Sequence, residues 1–369
     1  MKRMKYRIGD LTSIKTGKLD ANASSEHGQY PFFTCSKEPL KIDTYSYDCE
    51  CVLIAGNGDL NVKYYNGKFD AYQRTYIIED NSDGRMYMPF LYWFMQGYVE
   101  ELRKQAIGGV IKYIKLGNLT DAIIELPSVD VQKSIVNHLE KVAYICDERK
   151  KQLNMFDELI KARFVELFGD PVENDKEWET QSLDDACTTI VDCPHSTPNY
   201  TAENTGYMCI RTSIVKKNRI LWDEIEYIPE HEYYQRIKRK RLEKGDVVYT
   251  REGAILGIAA MIDRDCNVAL GQRSMLLSPD KSKCLPQFLS VAMNFDSFLR
   301  KVTGGISGSA SPHINVGDIK SFEIILPPID LQEQFVTFVE QTDKSKSKIQ
   351  KSLKETQLLM DSLMQQYFG

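Results

Sequence analysis

Residues 236–244, RIKRKRLEK, set six basic side chains against the single acid Glu243. Side chains of this kind at this density suit phosphate neutralisation, because each Lys or Arg that meets a phosphodiester releases counterions condensed on a nucleic acid. The candidates for that chemistry are Arg236, Lys238, Arg239, Lys240 and Arg241, preceded by Lys216, Lys217 and Arg219. A solvated surface run is the competing reading of the same charges. Earlier in the chain Lys112 and Lys115 follow the pair Gly108-Gly109, and Arg74 follows Gln73. The Gln-Arg pair returns as Gln272-Arg273. That recurrence suits a structural ion pair as well as a phosphate contact, since a shared residue does not by itself distinguish two base sequences.

Signatures of catalysis are missing from the sequence. TGK at 16–18 lacks the earlier glycine of a phosphate loop. Neither the glycine-rich cofactor loop nor the Asn/Asp-Pro-Pro-aromatic tetrad of an adenine methylase is present. AGNGD at 55–59 reads as a hairpin turn, and Gly108-Gly109 and Gly304-Gly305 read as tight turns. Cys193-Pro194-His195 has no companions that would make it a metal or nucleophile site. The nine cysteines include no facing C-x-x-C pairs, so the expectation is reduced thiols in cores and no metal. No run of eighteen apolar residues exists, and the basic start is not followed by an apolar stretch, so a cytoplasmic protein with no membrane association is expected. With a formal net charge of −5, any nucleic-acid surface must concentrate its cations on one face.

The elements that would position these residues come in two copies. IIELPSVDVQKSIV at 123–136 recurs as EIILPPIDLQEQFV at 323–336, an offset of 200 residues. The register holds from Ile114 and Gly117, which recur as Ile314 and Gly317, to Phe168-Gly169, which recur as Phe368-Gly369. A repeat of that length marks a duplicated unit. Residues 128–169 and 328–369 each read as a long helix, with apolar residues at alternating steps of three and four from Val131 and Leu331. Arg149 interrupts the first stripe, and Thr342 and Ser345 weaken the second. Asp130 and Asp330 are placed to cap the helices, Glu333 completing a capping box in the second copy. A helix of about 40 residues is roughly 60 Å long, and one with a narrow apolar stripe needs a partner helix. The economical partner is its own repeat, packed antiparallel as a coiled-coil rod. The regions 1–127 and 170–327 read as mixed strand and helix. CVLIAGNGD, RTYIIE, GDVVYTREG and SMLLSP are the expected strands, and MPFLYWFMQGYVEELRKQ and LPQFLSVAMNFDSFLRKV the expected helices. The fold class is therefore α+β: two such domains joined by two long antiparallel helices, with an internal pseudo-twofold repeat.

The order of strand-glycine segments, Gln-Arg pair, Gly117/Gly317 turn, Leu-Pro-x-x-Asp-x-Gln helix start and terminal Phe-Gly, stated twice, resembles the specificity subunits of type I DNA restriction-modification systems. The resemblance covers essentially the whole chain, although the Glu-Gln pair Glu333-Gln334 is Lys133-Ser134 in the first copy. It implies target recognition domains at 1–127 and 170–327, each reading one half of a gapped duplex DNA sequence. The helices at 128–169 and 328–369 would set the spacing. It implies no chemistry in this chain: S-adenosylmethionine, ATP and Mg would belong to adenine-methylating and motor-nuclease partner subunits. Neutral replacements across 236–241 are then expected to weaken DNA binding and flatten its salt dependence. Two other readings stand beside this one: the recognition subunit of a fused methylase-nuclease system, and a coiled-coil interaction scaffold that never touches DNA.

Overall fold

A computed structural model describes residues 4–304 and 312–369; Gly305, half of the second glycine pair, lies outside the described residues. The chain divides into two compact units, one of Met1–Lys150 with Gln350–Gly369 and one of Lys151–Ile349.

In the first unit, six strands form one sheet in the order Thr12–Thr16, Thr75–Asp80, Tyr47–Ala55, Val62–Ala71, Tyr30–Phe33, Leu40–Ile42. Strand Tyr47–Ala55 alternates strictly. Val52 and Ile54 face the helix Met88–Gln105, while Cys51 and Leu53 join Phe33, Phe69 and Ile77 on the other face. The helix carries Pro89 in its first turn, where the missing N–H costs nothing. A short antiparallel pair, Met4–Arg7 with Ile123–Leu126, closes the unit.

The second unit repeats this plan with shorter pieces. Strands Cys187–Asp192, Ser274–Pro279, Val247–Thr250 and Ala259–Met261 form its main sheet, and Thr180–Ser182 pairs with Glu323–Ile325. A three-stranded sheet of Glu226–Tyr227, Met208–Ile210 and Val268–Leu270 and a small hairpin of Val215–Lys216 and Arg219–Ile220 are added to it. The single helix expected over LPQFLSVAMNFDSFLRKV is two, Pro286–Met293 and Asp296–Thr303. Asn294 breaks it because its side-chain amide is used elsewhere. Its Oδ1 accepts from Ala259 N at 3.0 Å, and its Nδ2 donates to Ala259 O and to Asn218 Oδ1, each at 2.7 Å.

Two 40-residue helices, Val129–Phe168 and Ile329–Phe368, each begin in one unit and end in the other. Within each unit the two helix segments run antiparallel. In the first, Arg149 donates to Ser352 O at 2.7 Å and to Thr356 Oγ1, and Tyr367 Oη meets His138 Nδ1 at 3.4 Å. In the second, Lys346 pairs with Asp157 at 2.5 Å and Phe164 packs edge-on against Phe335. The residue that interrupts the apolar stripe thus makes a cross-helix hydrogen bond. Three stripe positions differ from expectation: Val131, Ile145 and, in the second helix, Leu359 are exposed, while the fully buried Phe168 lies outside the stripe. Asp130 and Asp330 are not caps but first-turn residues, one position inside the helix, where a carboxylate still favours the positive end of the dipole. Gly169 ends the first helix at φ +76°, a conformation that suits glycine.

The glutamine of each helix start has a definite job. Gln132 accepts from Tyr87 N at 2.8 Å and donates to Arg85 O and Pro127 O at 2.7 and 2.8 Å. Gln332 does the same with Leu285 N, Lys283 O and Pro327 O at 2.9, 2.9 and 2.8 Å. Both side chains are completely buried. Each amide ties the first turn of a long helix to the chain just ahead of a domain helix.

All nine cysteines are free thiols, five of them buried. Burial pushes Cys187 and Cys209 up to about 12. Among the described residues no helix is long and apolar enough to cross a membrane, and no group of three or more metal-ligating side chains occurs.

Candidate nucleic-acid interface

One loop cluster in the first unit gathers the sequence motifs. The turn after strand Tyr47–Ala55 is held by Gly56 N, which donates to Arg74 O at 2.7 Å, and by Gly58 N, which donates to Lys112 O at 3.0 Å. Ile107 and Tyr113 exchange backbone hydrogen bonds at 3.0 and 2.9 Å, closing a loop whose Gly108 has φ +123°. A Cβ at Gly108 would lie 2.5 Å from Ile111 O, so the glycine is required there. The loop presents Lys112 and Lys115, both exposed, beside exposed Arg74. Lys18, read in the sequence only as the end of TGK, lines the same cavity as Arg74. Among the described residues none of these four cations forms an ion pair. Thr16, Gly17, Lys18, Gln73 and Arg74 wall a cavity of about 500 Å³ backed by Tyr76 and Ile114.

The second unit reproduces the same frame. Arg251 N donates to Arg273 O at 3.0 Å as Gly56 N does to Arg74 O, and Gly253 N donates to Pro312 O at 2.9 Å as Gly58 N does to Lys112 O. Ile114 N reaches Gly56 O and Ile314 N reaches Arg251 O, both at 2.9 Å. Sheet register sets Asp192 opposite Met275 where Thr16 stands opposite Tyr76. The contents differ. Arg251 is buried, pairing through its Nε with Asp192 Oδ1 at 2.9 Å and through a terminal nitrogen with Glu252 Oε1 at 2.8 Å. His195 Nε2 lies 3.1 Å from the other oxygen of Asp192. Arg273 is exposed at φ +72°, and Gln272 is held by Thr197 Oγ1 at 2.8 Å. The repeated arginine is not a structural ion pair: neither Arg74 nor Arg273 forms one among the described residues.

Residues 2–155 and 175–358 match the family described as Type I restriction modification DNA specificity domain. The chain belongs to that family. The type I restriction enzyme EcoDI specificity subunit of Escherichia coli is 28% identical over 386 residues, covering 97% of this chain and 85% of its own length. The MjaVIII specificity subunit of Methanocaldococcus jannaschii is 22% identical over 390 residues, covering 96% and 91%. The crystal structure of a type I restriction-modification S subunit from M. genitalium aligns at a TM-score of 0.65 and 15% identity, over 100% of this chain and 96% of that one, a likeness of fold.

In this specificity subunit the basic run 236–241 is not one surface. Arg236 is buried on the helix Glu230–Arg236, its Nε donating to Glu232 Oε1 and a terminal nitrogen to Ser196 O, at 3.0 and 2.9 Å. It is therefore withdrawn as a phosphate ligand, because helix periodicity turns this position inward. Lys240 is half-buried between Glu243 at 3.3 Å and Asp246 at 3.8 Å. Lys238, Arg239 and Arg241 are exposed, with Arg239 donating to Asp192 O at 3.4 Å and Arg241 to Asn267 Oδ1 at 3.4 Å. On the small hairpin, Arg219 is exposed, Lys216 donates to Ser213 O at 2.7 Å, and Lys217 is tied to Asp296 at 3.0 Å.

Asp296 also receives Lys161 at 2.8 Å, so it links the long helix to the hairpin. The hydrogen bonds from Lys161 and Lys217 draw its carboxyl down to about 2. A depressed carboxylate adds stability above its unfolded value near 4, lost as the pH falls toward 2. The urea midpoint of the wild type minus that of Asp296→Asn is therefore expected to be constant from pH 7 to pH 5 and to shrink between pH 4 and 2. A pH-independent difference would exclude this linkage.

Proposed function

We propose that this specificity subunit reads a gapped duplex DNA target, with residues 1–127 and 170–327 each recognising one half and the helices at 128–169 and 328–369 setting the gap. The observation that carries the reading is the loop frame built twice on identical backbone hydrogen bonds with different side chains. Such a frame offers two similar supports to two different base sequences, while phosphate contacts by Lys112, Lys115, Arg74, Arg219, Lys238 and Arg239 position them. The chain performs no catalysis in this reading. Adenine-methylating subunits bring S-adenosylmethionine, motor-nuclease subunits bring ATP and Mg, and the complex works in the cytoplasm.

Co-expression with the adenine-methylating partner in a methylation-free host, followed by sequencing of modified adenines, tests it. The expected result is a single two-part motif with a fixed gap, methylated once on each strand. Methylation at one undivided motif would remove the two-reader assignment. A stable complex that modifies no site would favour a scaffold.

A further inference from the structure

The duplicated frame bounds a cavity in the first unit and carries a largely buried ion pair at the matching positions of the second. In the first unit Thr16 and Gly56 flank the cavity, whose cations Lys18 and Arg74 form no ion pair among the described residues. Asp20 accepts from Gln73 Nε2 at 3.1 Å and does not line it. At the equivalent positions of the second unit stand Asp192 and Arg251, paired and largely buried. There the guanidinium is neutralised in place by Asp192 and Glu252, and the carboxylate would repel an incoming anion.

We propose that the cavity of the first unit holds a backbone phosphate of the DNA duplex, and that the second unit has given up the equivalent phosphate site to the Asp192–Arg251 pair. The proposal rests on the DNA-reading function above. Arg74 is the principal ligand: its fork can take two phosphate oxygens, with Lys18 adding a point charge and Thr16 a hydroxyl donor. The two readers therefore grip the duplex unequally, although their Gln-Arg turns are alike.

The test compares Arg74→Gln with Arg273→Gln in the complex assembled with the methylating subunit, binding a duplex that carries its motif over a range of chloride concentrations. A lost phosphate contact lowers the slope of log affinity against log salt by about 1. That loss is expected for Arg74→Gln, with an affinity about tenfold weaker at low salt, and Arg273→Gln should keep the wild-type slope. Thr16→Asp, at an exposed strand end, puts the carboxylate of the second unit into the first and should weaken binding about as much. Equal slope losses in the two Arg variants would overturn the asymmetry, and an unchanged slope in Arg74→Gln would overturn the site. A wild-type complex with no salt-dependent affinity would instead overturn the DNA-reading function itself. Replacing chloride by inorganic phosphate at matched ionic strength should weaken wild-type binding and spare Arg74→Gln, because the free anion competes for the same fork. Inorganic phosphate bound through Arg74 with no loss of DNA affinity would reassign the cavity to a free anion.

Discussion

Replacing Arg236 by Met is expected to lower the stability of the second unit by about 3–5 kcal/mol, the usual cost of removing one partner of a buried ion pair. The side chains of Arg236 and Glu232 are 3% and 9% exposed, and among the described residues Glu232 keeps the Asn199 backbone N–H as its one donor once the guanidinium is gone. Met preserves the aliphatic volume, so the loss reports the charge left behind. The double variant Glu232→Gln with Arg236→Met should recover most of it, because no unpaired charge remains. DNA affinity of the folded Arg236→Met protein should keep its salt slope, whereas Lys238→Ala should alter affinity and leave the urea midpoint alone. A stable Arg236→Met protein with a flattened salt slope would return Arg236 to the DNA surface.

Gln132→Leu should cost about 3–5 kcal/mol in the first unit, and Gln332→Leu a similar amount in the second. Leu fills the volume but leaves one backbone N–H and two carbonyls without their partner in a buried place, each worth about 1–3 kcal/mol when unsatisfied. Amide hydrogen exchange locates the effect. Protection of the Tyr87 N–H should fall in Gln132→Leu and persist in Gln332→Leu, and the Leu285 N–H should behave in the opposite way. Unchanged protection of Tyr87 in Gln132→Leu would show that the glutamine does not hold that turn.

The sequence made the large elements legible because their signals are local and repeated. MPFLYWFMQGYVEELRKQ is a helix over its full length, and the two long helices have boundaries within a residue or two of those read from their period. The exceptions follow from where partners lie, which periodicity does not record. Asn294 breaks a good helical pattern because strand Ala259–Met261 offers it backbone groups to bind. Val131 and Ile145 satisfy the stripe and meet solvent, while Arg149 violates it and finds a carbonyl across the pair. Site residues were less legible than elements. A run of cations looks uniform in one dimension, yet the helix Glu230–Arg236 turns Arg236 inward and leaves Lys238 outside. Lys18 stood in the sequence only as the end of TGK, a failed phosphate-loop match, and its place beside Arg74 depends on strands that lie far apart in sequence.

The first unit draws part of its core from residues made roughly 200 positions after the rest of it. Phe368 packs against Phe90 and Phe94 with ring centroids 5.1 and 6.0 Å apart, and Met360, Leu363 and Met364 line the same core. A nascent chain that has emerged through residue 150 therefore holds that apolar face uncovered until roughly 200 more residues are added, about 10–40 s at ordinary rates of synthesis. Lys151–Ile349, by contrast, is one continuous stretch whose contacts are all in hand by the time its last residue appears. Although it is encoded second, it is the unit that can finish folding first.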